Sequence, residues 1–166
     1  VLAIVNQKGG VGKTTTAVNL ASLLAAKGKK VLMIDIDPQG NATSGFGFDK
    51  KSLKKTIYDV LINEDSLQSV LFDTGRKNLS LCPANIELAG AEIELVNTVS
   101  RETCLKRAIS EIRKQYDFIL MDCPPSLGLL TVNALTAADG VLVPIQSEYY
   151  ALEGLTQLME TITLVK

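Results

Sequence analysis

Asn6-Gln7-Lys8-Gly9-Gly10-Val11-Gly12-Lys13-Thr14-Thr15 follows the apolar run Val1–Val5 and opens the amphipathic stretch Thr14–Lys27. A strand that runs through a glycine-rich loop into a helix has the geometry of a phosphate cradle. Glycine admits positive φ and lets backbone approach a ligand closely. Successive N–H groups and the helix N-terminus then form an anion hole. Lys8, Gly9, Gly10, Val11, Gly12, Lys13, Thr14 and Thr15 are the candidate nucleotide-binding residues. Lys13 is spaced to reach β- and γ-phosphates as a point charge. Thr14 is spaced to offer its hydroxyl to Mg²⁺, which takes hard oxygen ligands and keeps several waters. The cofactors expected are therefore ATP and Mg²⁺.

On either side of this loop, short apolar runs alternate with amphipathic stretches. Val31–Ile34, Leu79–Cys82, Phe118–Met121 and Val141–Ile145 have strand length. Thr14–Lys27, Leu127–Ala138 and Leu152–Val165 have helical spacing, with Val18, Leu20, Leu23 and Leu24 expected on the apolar side of the first. Near-continuous apolar strands interleaved with helices imply an α/β fold, a mainly parallel sheet covered on both faces. The middle is less regular. Thr56–Ile62, Leu67–Phe72 and Ile86–Val96 read as short helices, and Arg101–Tyr116 as an amphipathic one built on Leu105, Ala108, Ile109 and Ile112. The expectation is a single P-loop domain over residues 1–166, trimmed at its C-terminal end.

The 166 residues carry 17 Lys+Arg against 18 Asp+Glu, so no global basic field draws the chain to nucleic acid or lipid. The chain has no histidine, which excludes Ser-His-Asp and Cys-His catalysis and every histidine-containing metal site. Cys82, Cys104 and Cys123 lack CxxC spacing and read as buried small hydrophobes. The one basic run, Lys50, Lys51, Lys54 and Lys55, reads as a solvated face in preference to a phosphate patch. Proton transfer and metal binding are left to carboxylates, hydroxyls, lysines and backbone.

Two acidic motifs supply those carboxylates. Ile34-Asp35-Ile36-Asp37-Pro38-Gln39-Gly40-Asn41 closes the second strand with carboxylates at i and i+2, which in a strand share one face. Phe118-Ile119-Leu120-Met121-Asp122-Cys123-Pro124-Pro125-Ser126 is an apolar strand ending in a carboxylate. Ligands of open α/β sheets bind outside the carboxyl ends of the strands, so all three motifs are expected to meet at one site.

Gln7 stands where the first glycine of GxxxxGK[ST] belongs, and Lys8-Gly9-Gly10-Val11-Gly12-Lys13-Thr14 carries a second lysine. This is the deviant Walker A pattern, and the chain resembles the partition ATPases of the ParA/MinD superfamily. Asn-Gln-Lys-Gly-Gly, Asp-Pro-Gln-Gly-Asn, Asp-Cys-Pro-Pro-Ser-Leu-Gly and the stretch Pro144–Leu155 are similar to its ParA/Soj branch, which serves chromosome or plasmid segregation.

The resemblance implies a Mg-dependent, slowly hydrolysing ATPase that dimerises face to face on ATP, with Lys8 reaching the partner's nucleotide. It implies Lys8, Lys13 and Asp37 as catalytic residues, Asp37 acting on the attacking water. Thr14 and Asp122 are implied around the metal, with Asp35 orienting its neighbours. A ParB-like activator, non-specific DNA contact and a cytoplasmic, nucleoid-associated location are implied as well, with membrane association unlikely. Three rivals stay open at this point: a MinD-like membrane ATPase, an iron-protein-like electron carrier and a P-loop kinase.

Overall fold

The computed structural model describes residues 1–147 and 151–166. The strands are β1 (Leu2–Ile4), β2 (Val31–Asp35), β3 (Phe72–Asp73), β4 (Leu79–Cys82), β5 (Phe118–Asp122) and β6 (Gly140–Leu142). They form one sheet in the order β3-β4-β2-β5-β1-β6. All pairings are parallel except the edge pair β3–β4, which is antiparallel. The helices are α1 (Lys13–Ala26), α2 (Asn41–Gly45), α3 (Ile57–Ile62), α4 (Leu88–Glu94), α5 (Cys104–Ile112), α6 (Leu129–Ala137) and α7 (Ala151–Val165). The expected α/β architecture is present.

The period-2 geometry of a strand explains why these runs are apolar throughout. Ile4, Val31, Met33, Leu79, Leu81 and Leu120 face α1 and α2. Ala3, Leu32, Ile34, Cys82, Ile119 and Met121 face the layer built by α3 to α7. Every strand residue from Val31 to Asp35 is buried. Cys82, Cys104 and Cys123 are buried free thiols, as their spacing suggested.

The face α1 turns to the sheet is not the predicted one. Ala17, Ala21 and Ala25 form its buried stripe, while Leu23 is 61% exposed. Val18, Leu20 and Leu24 pack only at the flanks. Alanine at i, i+4 and i+8 brings the helix axis close to the strands, which larger side chains would forbid.

Two more expectations shift. Leu67–Phe72 divides into a 3-10 turn, Leu67–Val70, and the start of β3, where Phe72 meets Phe48 edge-on at 5.6 Å. The sixth strand runs Gly140–Leu142 and stops before Pro144, whose carbonyl accepts instead from Asn6 at 2.9 Å. Proline cannot donate to a ladder, so pairing ends there. Glu148, Tyr149 and Tyr150 of the Pro144–Leu155 motif lie outside the described residues. Among the described residues, no helix is long and apolar enough to cross a membrane.

Ala21→Leu tests the close α1 packing. Overfilling a fully buried alanine site should cost about 1–3 kcal/mol, read as a lower urea midpoint at unchanged m-value. An unchanged midpoint would mean the helix has slack against the sheet.

Candidate functional site

Strands β2, β5 and β1 are neighbours, so the loops leaving their carboxyl ends lie side by side. In register, Ile4 and Asp35 both pair with Asp122. The three sequence motifs therefore meet at one end of the sheet.

The loop after β1 holds Gly10 at φ 71° and Gly12 at φ 87°, both in the left-handed region that favours glycine. Gly12 caps α1 without any side-chain hydrogen bond, and the first N–H groups of a 14-residue helix suit an anionic acceptor. A Cβ built on Gly9, Gly10 or Gly12 meets nothing within 4 Å, so the loop borders open space. That space is a cleft of about 430 Å³ lined by these glycines and by Lys13, Thr14, Thr15, Asp37, Gln39, Asn41 and Pro125.

Lys13 is buried, and its ammonium donates to the carbonyl of Lys8 at 2.9 Å across the loop. Burial lowers its pKa, while Asp122 and Asp37 act to raise it. Lys8 donates its own N–H to Asn6 Oδ1 at 3.0 Å. The side chain of Val11 is buried, so its part in the loop falls to its backbone.

The Thr14 hydroxyl donates to Asp122 Oδ2 at 2.6 Å, joining the start of α1 to the end of β5. Asp122 is fully buried, and its Oδ1 has no hydrogen-bond partner among the described residues. Burial, then the charge of Asp35, pushes its pKa up to about 7. An orphaned carboxylate oxygen beside a hydroxyl is a hard-oxygen donor set suited to Mg²⁺ and its water shell. Among the described residues no cluster of three metal-ligating side chains exists. Mg²⁺ tolerates that, since it is commonly held by one or two carboxylates together with substrate phosphates.

Asp37 lines the cleft, and its Oδ1 accepts from the Gln39 N–H at 3.0 Å. Asp35 does not line it, contrary to the expected shared face. β2 ends at Asp35, so the strand alternation stops before Asp37. The buried Asp35 carboxylate is spent internally. Its Oδ2 accepts from the Thr43 N–H at 2.9 Å and the Thr43 hydroxyl at 2.7 Å, and its Oδ1 from the Asp37 N–H at 3.1 Å. Burial raises its pKa to about 6 against the pull of those bonds.

Several contributors had no role assigned to them in the sequence reading. Thr43 also accepts from the Ala84 N–H at 3.0 Å, linking β2, α2 and the segment after β4. Gln146 donates to the Gly10 carbonyl at 2.8 Å. Lys50, read as solvated, donates to the Gln39 carbonyl and arches over Gly40, whereas Lys55 pairs with Asp65. A larger cleft of about 720 Å³ opens at the opposite strand ends beside Lys30, Arg76 and Tyr116. It has no glycine loop or buried carboxylate aimed into it, so chemistry rather than size selects the smaller cleft.

An AAA domain family model matches residues 1–166. The chain is 58% identical over its whole length to the sporulation initiation inhibitor protein Soj of Bacillus subtilis, covering 66% of it. It is 54% identical to the chromosome partitioning protein ParA of Myxococcus xanthus, covering 59% of that protein. The chain belongs to the AAA domain family and is of the ParA/Soj type. It spans about three-fifths to two-thirds of the length of these curated relatives. The crystal structure of a cobyrinic acid a,c-diamide synthase from Mycobacterium smegmatis with bound ADP and magnesium superposes with TM-score 0.95 at 44% identity. That match covers 99% of this chain and 66% of the other.

Asp122 makes nucleotide-free stability depend on pH. The buried carboxyl holds its proton up to about pH 7, whereas the unfolded one releases it near 3.8. The native state therefore binds the extra proton in that window, and stability falls as pH rises through it. Asp35 contributes in the same sense up to about pH 6. With no histidine in the chain, the interval from pH 6 to 7 belongs mainly to Asp122. Urea unfolding should show a loss on the order of 1 kcal/mol across that interval, absent in Asp122→Asn. An equal slope in both proteins would refute the buried-carboxyl account.

Proposed function

We propose that this chain carries the Mg·ATP site of a ParA/Soj-type partition ATPase acting in chromosome or plasmid segregation. One observation carries the reading: Lys13, Thr14 and Asp37 line a single glycine-walled cleft, and Asp122 is held directly behind it by the Thr14 hydroxyl. The relatives named Soj and ParA, and the neighbouring structure that holds ADP and magnesium, support it.

In this reading the N–H groups of Gly9 to Thr15 cradle the phosphates, and Lys13 neutralises the transferring end. Asp122 and Asp37 oppose the downward pull of burial on Lys13. The Thr14 hydroxyl and Asp122 would hold the magnesium shell, and magnesium there would neutralise phosphate charge and favour the ionised form of the buried Asp122 carboxyl. Asp37, fixed on one oxygen by Gln39, has its other oxygen to orient and deprotonate the attacking water. Lys8 reaches the nucleotide of a second copy, so that ATP occupancy and dimerisation are one event. A ParB-like protein completes the site and accelerates a slow intrinsic rate. The complete protein contacts DNA non-specifically and works in the cytoplasm at the nucleoid.

Two substitutions test the roles. Asp37→Ala should retain Mg·ATP affinity, lose about 10²–10⁴-fold in hydrolysis and accumulate as the ATP-bound dimer in sedimentation. Loss of binding without a trapped dimer would give Asp37 a structural role. Lys8→Gln should bind ATP as a monomer but neither dimerise nor hydrolyse. A variant that dimerises and turns over like wild type would overturn the partner-lysine role. Phosphate release measured without any added acceptor separates this reading from a kinase and from the amide-forming reaction named for the Mycobacterium smegmatis protein.

A further inference from the structure

The loop of residues 123–128 leaves Asp122, and its Pro125 lines the nucleotide cleft. Its far end is held in an unusual way. Glu92 of α4 accepts the Leu129 N–H through Oε2 at 2.8 Å and the Leu130 N–H through Oε1 at 3.2 Å. A carboxylate at a helix N-terminus forms charge-assisted bonds with donors the helix itself leaves unused. Helices commonly obtain this from a local Ser, Thr, Asp or Asn. Here the N-cap is Gly128, and Ser126 is engaged through its carbonyl, which accepts from the Thr131 hydroxyl at 2.6 Å. A local cap would tie α6 only to itself, whereas Glu92 ties the end of the loop to another helix.

Gly128 is fitted to this contact. Its φ of −77° is open to any residue, so backbone conformation does not require glycine there. A Cβ on Gly128, however, would stand 2.7 and 2.8 Å from the two Glu92 oxygens. The missing side chain is what lets the carboxylate in.

The other end of α4 leads back to the site. Asn85 Oδ1 accepts from the Glu87 N–H at 3.2 Å, and the Ala84 N–H donates to Thr43, which donates to Asp35, which holds the Asp37 N–H. Asp37, Asp35, Thr43, the Ala84–Asn85 turn, α4, Glu92 and the loop back to Asp122 thus form a closed circuit around the cleft.

We propose that Glu92 is a positioning residue for hydrolysis, holding the loop after Asp122 against the cleft from α4. This rests on the Mg·ATP reading above. Glu92→Ala in the complete protein should lower kcat by about ten- to a hundredfold while Mg·ATP Kd stays within about threefold. Glu92→Gln, which keeps one acceptor oxygen, should fall between. Gly128→Ala should reproduce the loss and add nothing in the Glu92→Ala background, because the group it displaces is already gone. Amide exchange at Leu129 and Leu130 should accelerate in Glu92→Ala. Faster exchange with wild-type kcat would reduce Glu92 to a helix cap and overturn the proposal. So would an additive loss on combining the two substitutions, or a loss of Kd matching that of kcat. A wild-type protein that does not turn over ATP overturns the hydrolysis reading together with this role. Wild-type turnover with an unaffected Glu92→Ala overturns this role alone.

Discussion

Asp122 sits at the carboxyl end of an interior strand, fully buried, with one oxygen bound to Thr14 and the other without a partner among the described residues. Removing a carboxylate from water is costly unless a counter-charge or donors replace the lost hydration. Lys13 supplies part of that counter-charge, but Asp35 and Asp37 add negative charge from the other side. The empty site is therefore electrostatically incomplete, and it favours a proton or a cation on Asp122. The glycine loop, the helix start and the neighbouring strand ends are all arranged around this one unsatisfied group.

A second buried carboxylate is treated in the opposite way. Asp35 has three donors on its two oxygens, all from the chain itself. It needs no ligand and fixes the backbone on which Asp37 stands. Two aspartates opposite each other in adjacent parallel strands have thus been given different tasks by their surroundings. One is satisfied wholly by the chain, and the other keeps an oxygen with no partner among the described residues.

How far the sequence could be read follows from the range of the interactions involved. The phosphate loop and every strand but the edge strand β3 were legible because their signals are local: glycine placement, a lysine-threonine pair, apolar runs of fixed length. The alanine face of α1 was missed because hydrophobicity ranks leucine above alanine, while close helix-sheet packing favours the smaller residue. Asp35 and Asp37 were expected on one face because strand alternation does not announce that β2 ends at Asp35. Thr43 and Glu92 carry no local signal, and the motif around Gln146 does not say what it touches, since their partners lie 8 to 136 residues away.

The strand order also governs how the chain reaches this state. β1 has no partner among the first hundred residues; Leu2 pairs with Leu120 on one side and Gly140 on the other. During synthesis at about 5–20 residues per second, β1 and the glycine loop wait on the order of ten seconds for β5 to emerge. Until then the strand has no sheet to join, and the nucleotide loop has neither Asp122 nor the adjacent strand to shape it. Pairing over such distances is intrinsically slow and leaves apolar strand edges exposed meanwhile. The glycine loop of the nascent chain thus gains its neighbours Asp122 and β6 only late in synthesis.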